Sequence, residues 1–571
     1  MATPQEILHA DVVSETPHIP EQRFPPNLKK TILLLLLLIG SFLYLSWGAG
    51  VGIRLFDEGN FVYGAARILE GELPYRDFFT IYFPGQFYIL ALIFKVFGNF
   101  LIAGRLFSTA CYAFIGILGF LIAEKLANLK LASFSWLLIV LWFGAFGFIH
   151  LNTPIPTALV FSLASLLLFM KFLQSFQKRY LFFAGVLAGI SAFFRQDAGL
   201  YTMLAEAGAG IPFVYFSFSG EHKFSTATYR SLLTLLTHAI GVSVILLPLA
   251  IFFLMKVPAD QLYFSFIQWP LQIWPNYGSL PYPAPLENPA LLLSGQRAPG
   301  PYFLTGLMRV PYYFPVVVLL LALLVLAVPA LRKRLRTAWG MLLIFIFGLT
   351  SFNLARGRSD IAHLLLVAIS AAILVSPLLA ATLESMRRLH RTFLLLVIGM
   401  ILLFAFSSLI FYISKSIPPS KKLLASPQLH PARGIYLLPS SARPLEQAAQ
   451  FVRSQTAEDA RIFVGNVRHD QGTINDIMFY FLAERASATK YFALAPGLIT
   501  AANVQREIVG DLKRYHVNYI VIWTRSQRYL TPQESEGVTI LDDFIRTHYR
   551  PIRKFGEYII LCKKPSVSLR H

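Results

Sequence analysis

Long uninterrupted apolar runs constrain this chain more than any other feature. The segments 31–44, 232–253, 316–331 and 393–413 approach or exceed the ~20 apolar residues that cross a hydrocarbon core as a helix. A water-soluble core does not need such runs. The composition agrees, with 56% of the 571 residues hydrophobic and 14% charged, against roughly 45–50% and 25% in a soluble domain. The chain reads as a polytopic α-helical membrane protein. A net charge of +20 would make nucleic acid a candidate partner of a soluble chain. Here the basic residues fall in short connections between apolar runs, as in Arg332-Lys333-Arg334-Leu335-Arg336 and Arg387-Arg388-Leu389-His390-Arg391. That is how cytoplasmic loops are marked, and no nucleic-acid partner is expected.

The stretch 56–98 interrupts its apolar residues with Asp57, Glu58, Glu70, Glu72, Pro74, Arg76, Asp77 and Pro84. Only 87–97 is apolar, too short to cross and suited to lying in the interface. With 56–98 assigned to one external loop carrying juxtamembrane helices, the spans fall near 31–50, 102–123, 132–150, 154–173, 180–194, 198–216, 231–255, 309–330, 337–354, 361–382 and 393–413, about eleven helices. A cytoplasmic N-terminus then puts Lys29, Lys30, Lys125, Lys130, Lys171, Lys178, Arg179, Lys223, Arg230 and both basic clusters inside, as the positive-inside rule requires. Counting 87–97 as a span would send both clusters outward.

Residues 1–27 carry Glu6, Asp11, Glu15, Glu21 and several prolines, the wrong composition for a signal peptide, and read as a disordered cytoplasmic tail. The transmembrane domain is expected over 28–414, with external loops near 51–101 and 257–308. Beyond 415, charge returns and helix-like stretches alternate with short apolar strands, so 415–571 reads as an extracytoplasmic α/β domain. Strands are expected at 461–465, 519–523 and 558–562, and helices at 476–484 and 504–515. Two cysteines, Cys111 and Cys562, make no disulfide framework.

Chemistry is expected at the outer helix ends. Asp57-Glu58 is an adjacent carboxylate pair at the membrane surface, costly there unless solvated or used. A carboxylate can remove a proton from an attacking hydroxyl or amine; equally, acids at a helix start favour its dipole. The surrounding pattern is Asp57-Glu58-Gly59-Asn60-Phe61-Val62-Tyr63-Gly64-Ala65-Ala66-Arg67, then Gly71-Glu72-Leu73-Pro74-Tyr75-Arg76-Asp77-Phe78, Pro84, Phe97-Gly98 and Arg105-Leu106. It resembles the first external loop of the family 39 membrane glycosyltransferases and their bacterial relatives: protein O-mannosyltransferases, the lipid A aminoarabinose transferase and lipopolysaccharide galacturonosyltransferases. The resemblance implies the type C glycosyltransferase fold and a sugar donor carried on polyprenyl phosphate at the extracytoplasmic face. It implies Asp57 as catalytic base, Glu58 as its participating neighbour, and supporting places for Tyr63, Tyr75, Arg76 and Asp77.

Two further patches fit that resemblance. After Gly185 and Gly189 comes Phe193-Phe194-Arg195-Gln196-Asp197, where an arginine fork can hold the donor phosphate or pair with Asp197. In Arg356-Gly357-Arg358-Ser359-Asp360-Ile361-Ala362-His363, Arg358 and His363 can contact phosphate with Asp360 orienting one of them; the alternative is a snorkelling arginine beside a capping aspartate. Where many relatives carry a further acid, this chain has His150-Leu151-Asn152-Thr153-Pro154. Either Asn152 fills a binding role, or Asp197 or Asp360 supplies the carboxylate. The loop 257–303, with Tyr263, Trp269, Trp274, Tyr277 and Tyr282, is an interfacial aromatic belt or a lid over the donor or acceptor. It adds only Asp260 and Glu287 as acids.

No zincin, CxxC, Walker or serine-triad signature is present, which removes support for metalloprotease, ATPase and hydrolase classes. No cofactor is indicated, and a divalent metal is compatible with the carboxylates without being pointed to. The reading is thus a single inverting displacement from a polyprenyl-phosphate sugar to an envelope glycolipid, glycan or protein at the outer face of a bacterial inner membrane, in contact with membrane lipids. The alternative class is a transporter or flippase of a lipid-linked saccharide. Such proteins keep ionisable groups near the midplane and show paired halves, whereas here the charges collect at helix ends.

Overall fold

The computed structural model describes residues 28–145, 151–218, 224–284, 288–294, 296, 298–329, 337–385, 388–417, 420–525 and 535–565. The tail 1–27 and the basic cluster 332–336 lie outside the described residues. Helix α1 (Leu28–Ser46) is followed by two short helices, α2 (Asp57–Leu69) and α3 (Gly85–Phe97). Then come α4 (Leu101–Leu126), α5 (Leu129–Ala145), α6 (Pro154–Ser175), α7 (Lys178–Phe194), α8 (Gln196–Phe218), α9 (Phe224–Lys256), α10 (Pro299–Ala327), α11 (Ala338–Gly357), α12 (Ile361–Ser385) and α13 (Arg388–Ser416).

Each expected span falls on one of these helices, but the count of about eleven is too fine. Among the described residues seven helices are long and apolar enough to cross a membrane, and 85–97, 129–144 and 398–414 are shorter apolar helices. Helix α7 has 17 residues, and Gln196, Asp197, Glu206 and several glycines dilute α8, so length and hydropathy alone do not qualify either. The resulting architecture is a bundle of about seven to ten apolar helices.

Side-chain contacts set the polarity of the bundle. At one pole Lys30, beginning α1, pairs with Glu124 near the end of α4 at 2.7 Å, and Thr337 donates to the Leu126 carbonyl. At the other pole lie the start of α4, the start of α6, the end of α7, the end of α11 and the start of α12. Segment α3 lies there too. Phe87, Leu90 and Phe94 are buried while Leu92, Val96 and Phe97 are exposed, an amphipathic helix suited to an interface.

At that second pole sits a five-stranded mixed sheet in the order β2-β1-β3-β5-β4, built from β1 (Arg461–Asn466), β2 (Ala486–Ser487), β3 (Tyr519–Trp523), β4 (Tyr549–Phe555) and β5 (Tyr558–Lys563). Strands β2, β1 and β3 are parallel, and β5 returns antiparallel. The expected strands at 461–465, 519–523 and 558–562 are β1, β3 and β5. The helix expected at 504–515 is α15 (Ala502–Arg514), flanked by α14 (Pro439–Gln455) and α16 (Ile540–His548), and the one at 476–484 shortens to Met478–Ala483. Phe61 and Val62 of α2 and Phe87 of α3 share one buried cluster with Ile477, Met478, Tyr480 and Phe492 of the sheet domain. Gly59 permits this: an added Cβ would lie 2.6 Å from the Met478 amide nitrogen.

Candidate functional site

Helix α2 begins at Asp57 and puts its two acids in opposite situations. The Glu58 carboxylate is fully buried and gripped by the Arg105 fork, Nε to Oε1 at 2.7 Å and Nη2 to Oε2 at 2.6 Å. The same guanidinium donates to the carbonyls of Ala49 and Gly52, both at 2.9 Å. Asn152 adds a donor from Nδ2 to Oε1 at 3.0 Å, and its own carbonyl accepts from Gln86 at 3.3 Å. Glu58 and Asn152 therefore hold the mouth of the bundle together; with 0% exposure neither offers an open face to a substrate.

Asp57 is solvent-exposed yet recessed among protein atoms. Among the described residues its carboxylate makes no hydrogen bond or ion pair. Burial by the surrounding walls raises its pKa, an effect that Asp360 reinforces and that Arg358, Arg54 and His363 oppose. The Tyr82 phenol, pushed up to about 12 by burial, also senses Asp57, Arg195, Arg358 and Asp197. These groups come from four separate places in the chain, 54–57, 82, 195–197 and 358–363, and converge on one recess.

Arg195, capping the end of α7, pairs with Asp197 through two bonds of 2.7 and 2.9 Å. Arg358, at the end of α11, gives Nε to Asp360 at 2.6 Å and Nη1 to the Gly278 carbonyl at 2.9 Å, and lies over the Trp274 ring at 5.9 Å. His363 contributes its backbone N–H and ring Nδ1 to the other Asp360 oxygen, at 3.1 and 2.6 Å. Asp360 thus orients both basic groups rather than one. Although burial raises the Asp360 pKa, its bonds to His363 and Arg358 outweigh that and hold it at about 2. The aromatic loop is tied to this cluster, since Leu280 pairs with Arg358 and the Ser359 hydroxyl donates to the Leu280 carbonyl at 3.1 Å.

Four expected supporting residues have other places. The Tyr63 oxygen accepts the Ser487 N–H at 2.5 Å and its ring stacks on Tyr480 at 5.0 Å, joining α2 to the sheet domain. Buried Tyr75 donates to the Tyr82 carbonyl at 2.7 Å. Arg76 and Asp77 pair at 2.7 Å, and Asp77 accepts the Leu73 N–H at 2.8 Å; both border a cleft beyond the far end of α2. Sequence reasoning missed Arg54 and Tyr82 and gave Arg105 no role. The signal for Arg105 was present, because a lone arginine in the first turn of an apolar helix demands a partner. His150 and Glu287 lie outside the described residues. Among the described residues no three His, Cys, Asp or Glu side chains gather as metal ligands would.

Residues 83–247, from just before α3 into α9, match the family described as dolichyl-phosphate-mannose-protein mannosyltransferase. In backbone shape the chain is similar to ArnT from Cupriavidus metallidurans in the apo state, with a TM-score of 0.54 at 12% identity over 93% of this chain and 98% of that one. The chain has a type C glycosyltransferase-like fold. A more distant similarity, with a TM-score of 0.48 at 11% identity, joins 86% of this chain to 70% of the apo oligosaccharyltransferase of Archaeoglobus fulgidus. No curated protein matches the sequence. The matched segment begins after Asp57 and Glu58, so the roles within the recess rest on geometry.

Proposed function

We propose that this protein is a glycosyltransferase that moves a sugar from a polyprenyl-phosphate carrier to an envelope glycolipid, glycan or protein in one inverting displacement, with Asp57 as the base. The acceptor oxygen or nitrogen attacks the anomeric carbon, its proton passes to the Asp57 carboxylate, and the bond to the phosphate oxygen breaks. The leaving polyprenyl phosphate takes the electron pair and is met by the hydrogen-bond donors at the helix ends, Arg358, Arg195 and His363. Positioning and charge stabilisation supply the rate, as in other phosphate-leaving chemistry. The observation that carries this reading is the contrast among the acids. Glu58, Asp197 and Asp360 are each engaged by an arginine, whereas Asp57 alone of the four faces the recess without a bonded partner among the described residues.

The same reading places the recess outside the membrane. Lys30, Lys125, Lys130, Lys171, Lys178, Arg179 and Arg230 gather at the pole opposite the sheet domain, and an excess of positive charge marks the cytoplasmic side. All eleven helices then span, with residue 28 entering from the cytoplasm and the sheet domain outside, as in a bacterial inner membrane. A flippase would draw on ionisable groups within the helices; the buried Glu206–His238 pair, 2.5 Å apart, is of that kind, but it lies away from the recess.

Transfer of radiolabelled sugar from a panel of polyprenyl-phosphate sugars to envelope acceptors, in nanodiscs, tests the proposal. Asp57→Asn keeps the size and removes the base, and is expected to lower kcat by about 10²–10⁴. Undiminished transfer by a folded Asp57→Asn protein would put the base elsewhere.

A further inference from the structure

A second cavity lies away from the recess, where the turn after α2 faces the sheet domain. It holds about 610 Å³, within the range of roughly 300–1,000 Å³ for small-molecule sites. One wall comes from the loop, with Arg67, Glu70, Glu72, Arg76 and Asp77; the other comes from the domain, with Arg461, Lys490, Glu507, Asp511, Arg514 and Tyr515. Five of these side chains are cationic and five anionic, so the lining carries no net charge.

Most of these charges are paired before anything binds. Arg67 bonds Glu70 at 2.6 Å and also Glu72, Arg76 bonds Asp77, and Lys490 bonds Glu507 at 2.7 Å. Arg461 reaches across to Glu72 at 3.8 Å. Arg514 makes no ion pair among the described residues, and the exposed Tyr515 ring carries the guanidiniums of Arg461 at 4.5 Å and Arg514 at 5.4 Å. An anion entering here would meet five carboxylates and a cation five positive groups, so neither is favoured. A hydroxyl is favoured, because it donates to a carboxylate and accepts from a guanidinium at once.

We propose that this cleft binds a neutral, hydroxyl-rich saccharide, the part of the acceptor glycan that lies several units from the reacting hydroxyl. The inference rests on Asp57 marking the reaction centre. Asp57 and Leu69 are the two ends of α2, which separates reaction and cleft by roughly 18 Å at 1.5 Å per residue. Both walls also meet the recess mechanically. The Phe79 N–H donates to the Lys490 carbonyl at 3.0 Å, and Phe79 lies three residues before Tyr82. A bound saccharide therefore clamps the loop to the domain, and remote contacts of this kind spend binding energy on positioning.

The test is saturation-transfer NMR on the full-length protein in nanodiscs, titrated with neutral oligosaccharides of two to four hexoses and with uronic-acid oligomers of the same lengths. At least one neutral oligomer is expected to bind more tightly than its acidic counterpart. Arg514→Ala and Tyr515→Ala, both exposed positions that do not threaten folding, are each expected to weaken that binding about tenfold, while Asp57→Asn leaves it unchanged. The proposal is overturned if no neutral oligomer binds, if acidic oligomers bind better, or if binding ignores both cleft substitutions. Saccharide binding alongside a fully active Asp57→Asn protein would sink the catalytic reading and spare the cleft; an inactive Asp57→Asn protein without saccharide binding would do the reverse.

Discussion

Asp57 and Glu58 are neighbours of nearly the same chemistry, and their separation in role is a matter of direction. Successive residues on a helix point about 100° apart, so one acid turns into the bundle and the other toward the recess. The inward one meets Arg105, 47 residues on. The outward one keeps a carboxyl whose pKa burial raises and Arg358 lowers. A base must be ionised to act, so transfer is expected to fall away on acidification at a pH above the usual aspartate value of about 3.9. Arg358→Gln removes an influence that lowers the pKa, so the acid limb of the kcat/KM profile should move to higher pH. A limb that stays in place or moves down would show that Arg358 does not act on the base.

At the scale of elements, α2 is a short helix of mixed polarity held in place by what surrounds it. Its burial comes from the sheet domain on one side and α3 on the other, and its first turn is tied to α4 by the Glu58–Arg105 fork. Breaking one partner of a buried pair strands the other charge, at about 3–5 kcal/mol. Arg105→Met should therefore lower the melting temperature of the detergent-solubilised protein markedly. Glu58→Gln with Arg105→Met together should cost less than Arg105→Met alone, because no charge is then left buried. Equal losses in single and double variants would mean the fork contributes packing rather than charge pairing. That α2 and α3 are short elements set apart from the long apolar helices was legible from their interrupting acids and short apolar length. The engagement of Tyr63 by Ser487, 424 residues away, was not, because nothing local to Tyr63 distinguishes a substrate contact from a docking contact.

At the scale of the whole molecule, charge asymmetry and geometry describe the same object. The basic residues of the connections, Lys30, Lys125, Lys130, Lys171, Lys178, Arg179 and Arg230, collect at one pole, and the sheet domain, the recess and the charged cleft at the other. Single cysteines on a background lacking Cys111 and Cys562 test the resulting orientation. In intact cells a membrane-impermeant maleimide should label Arg553→Cys, on the exposed edge strand β4, and leave Lys178→Cys unlabelled until the membrane is opened. The opposite pattern would invert the topology and move the recess to the cytoplasm.

The sequence by itself determined that the chain lives in a bilayer, because apolar runs of that length have no other solvent. It also determined which loops collect positive charge, that a mixed α/β region follows the helices, and that acids and arginines cluster at helix ends. Local pattern carries these properties, through composition, period and charge. Only the tertiary structure decided which acid is free and which is bound, that Asn152 serves Glu58, that Asp360 holds both Arg358 and His363, and that Arg76 and Asp77 face a different cavity. Those outcomes depend on contacts between residues tens to hundreds of positions apart, and a single sequence records the residues without their pairing.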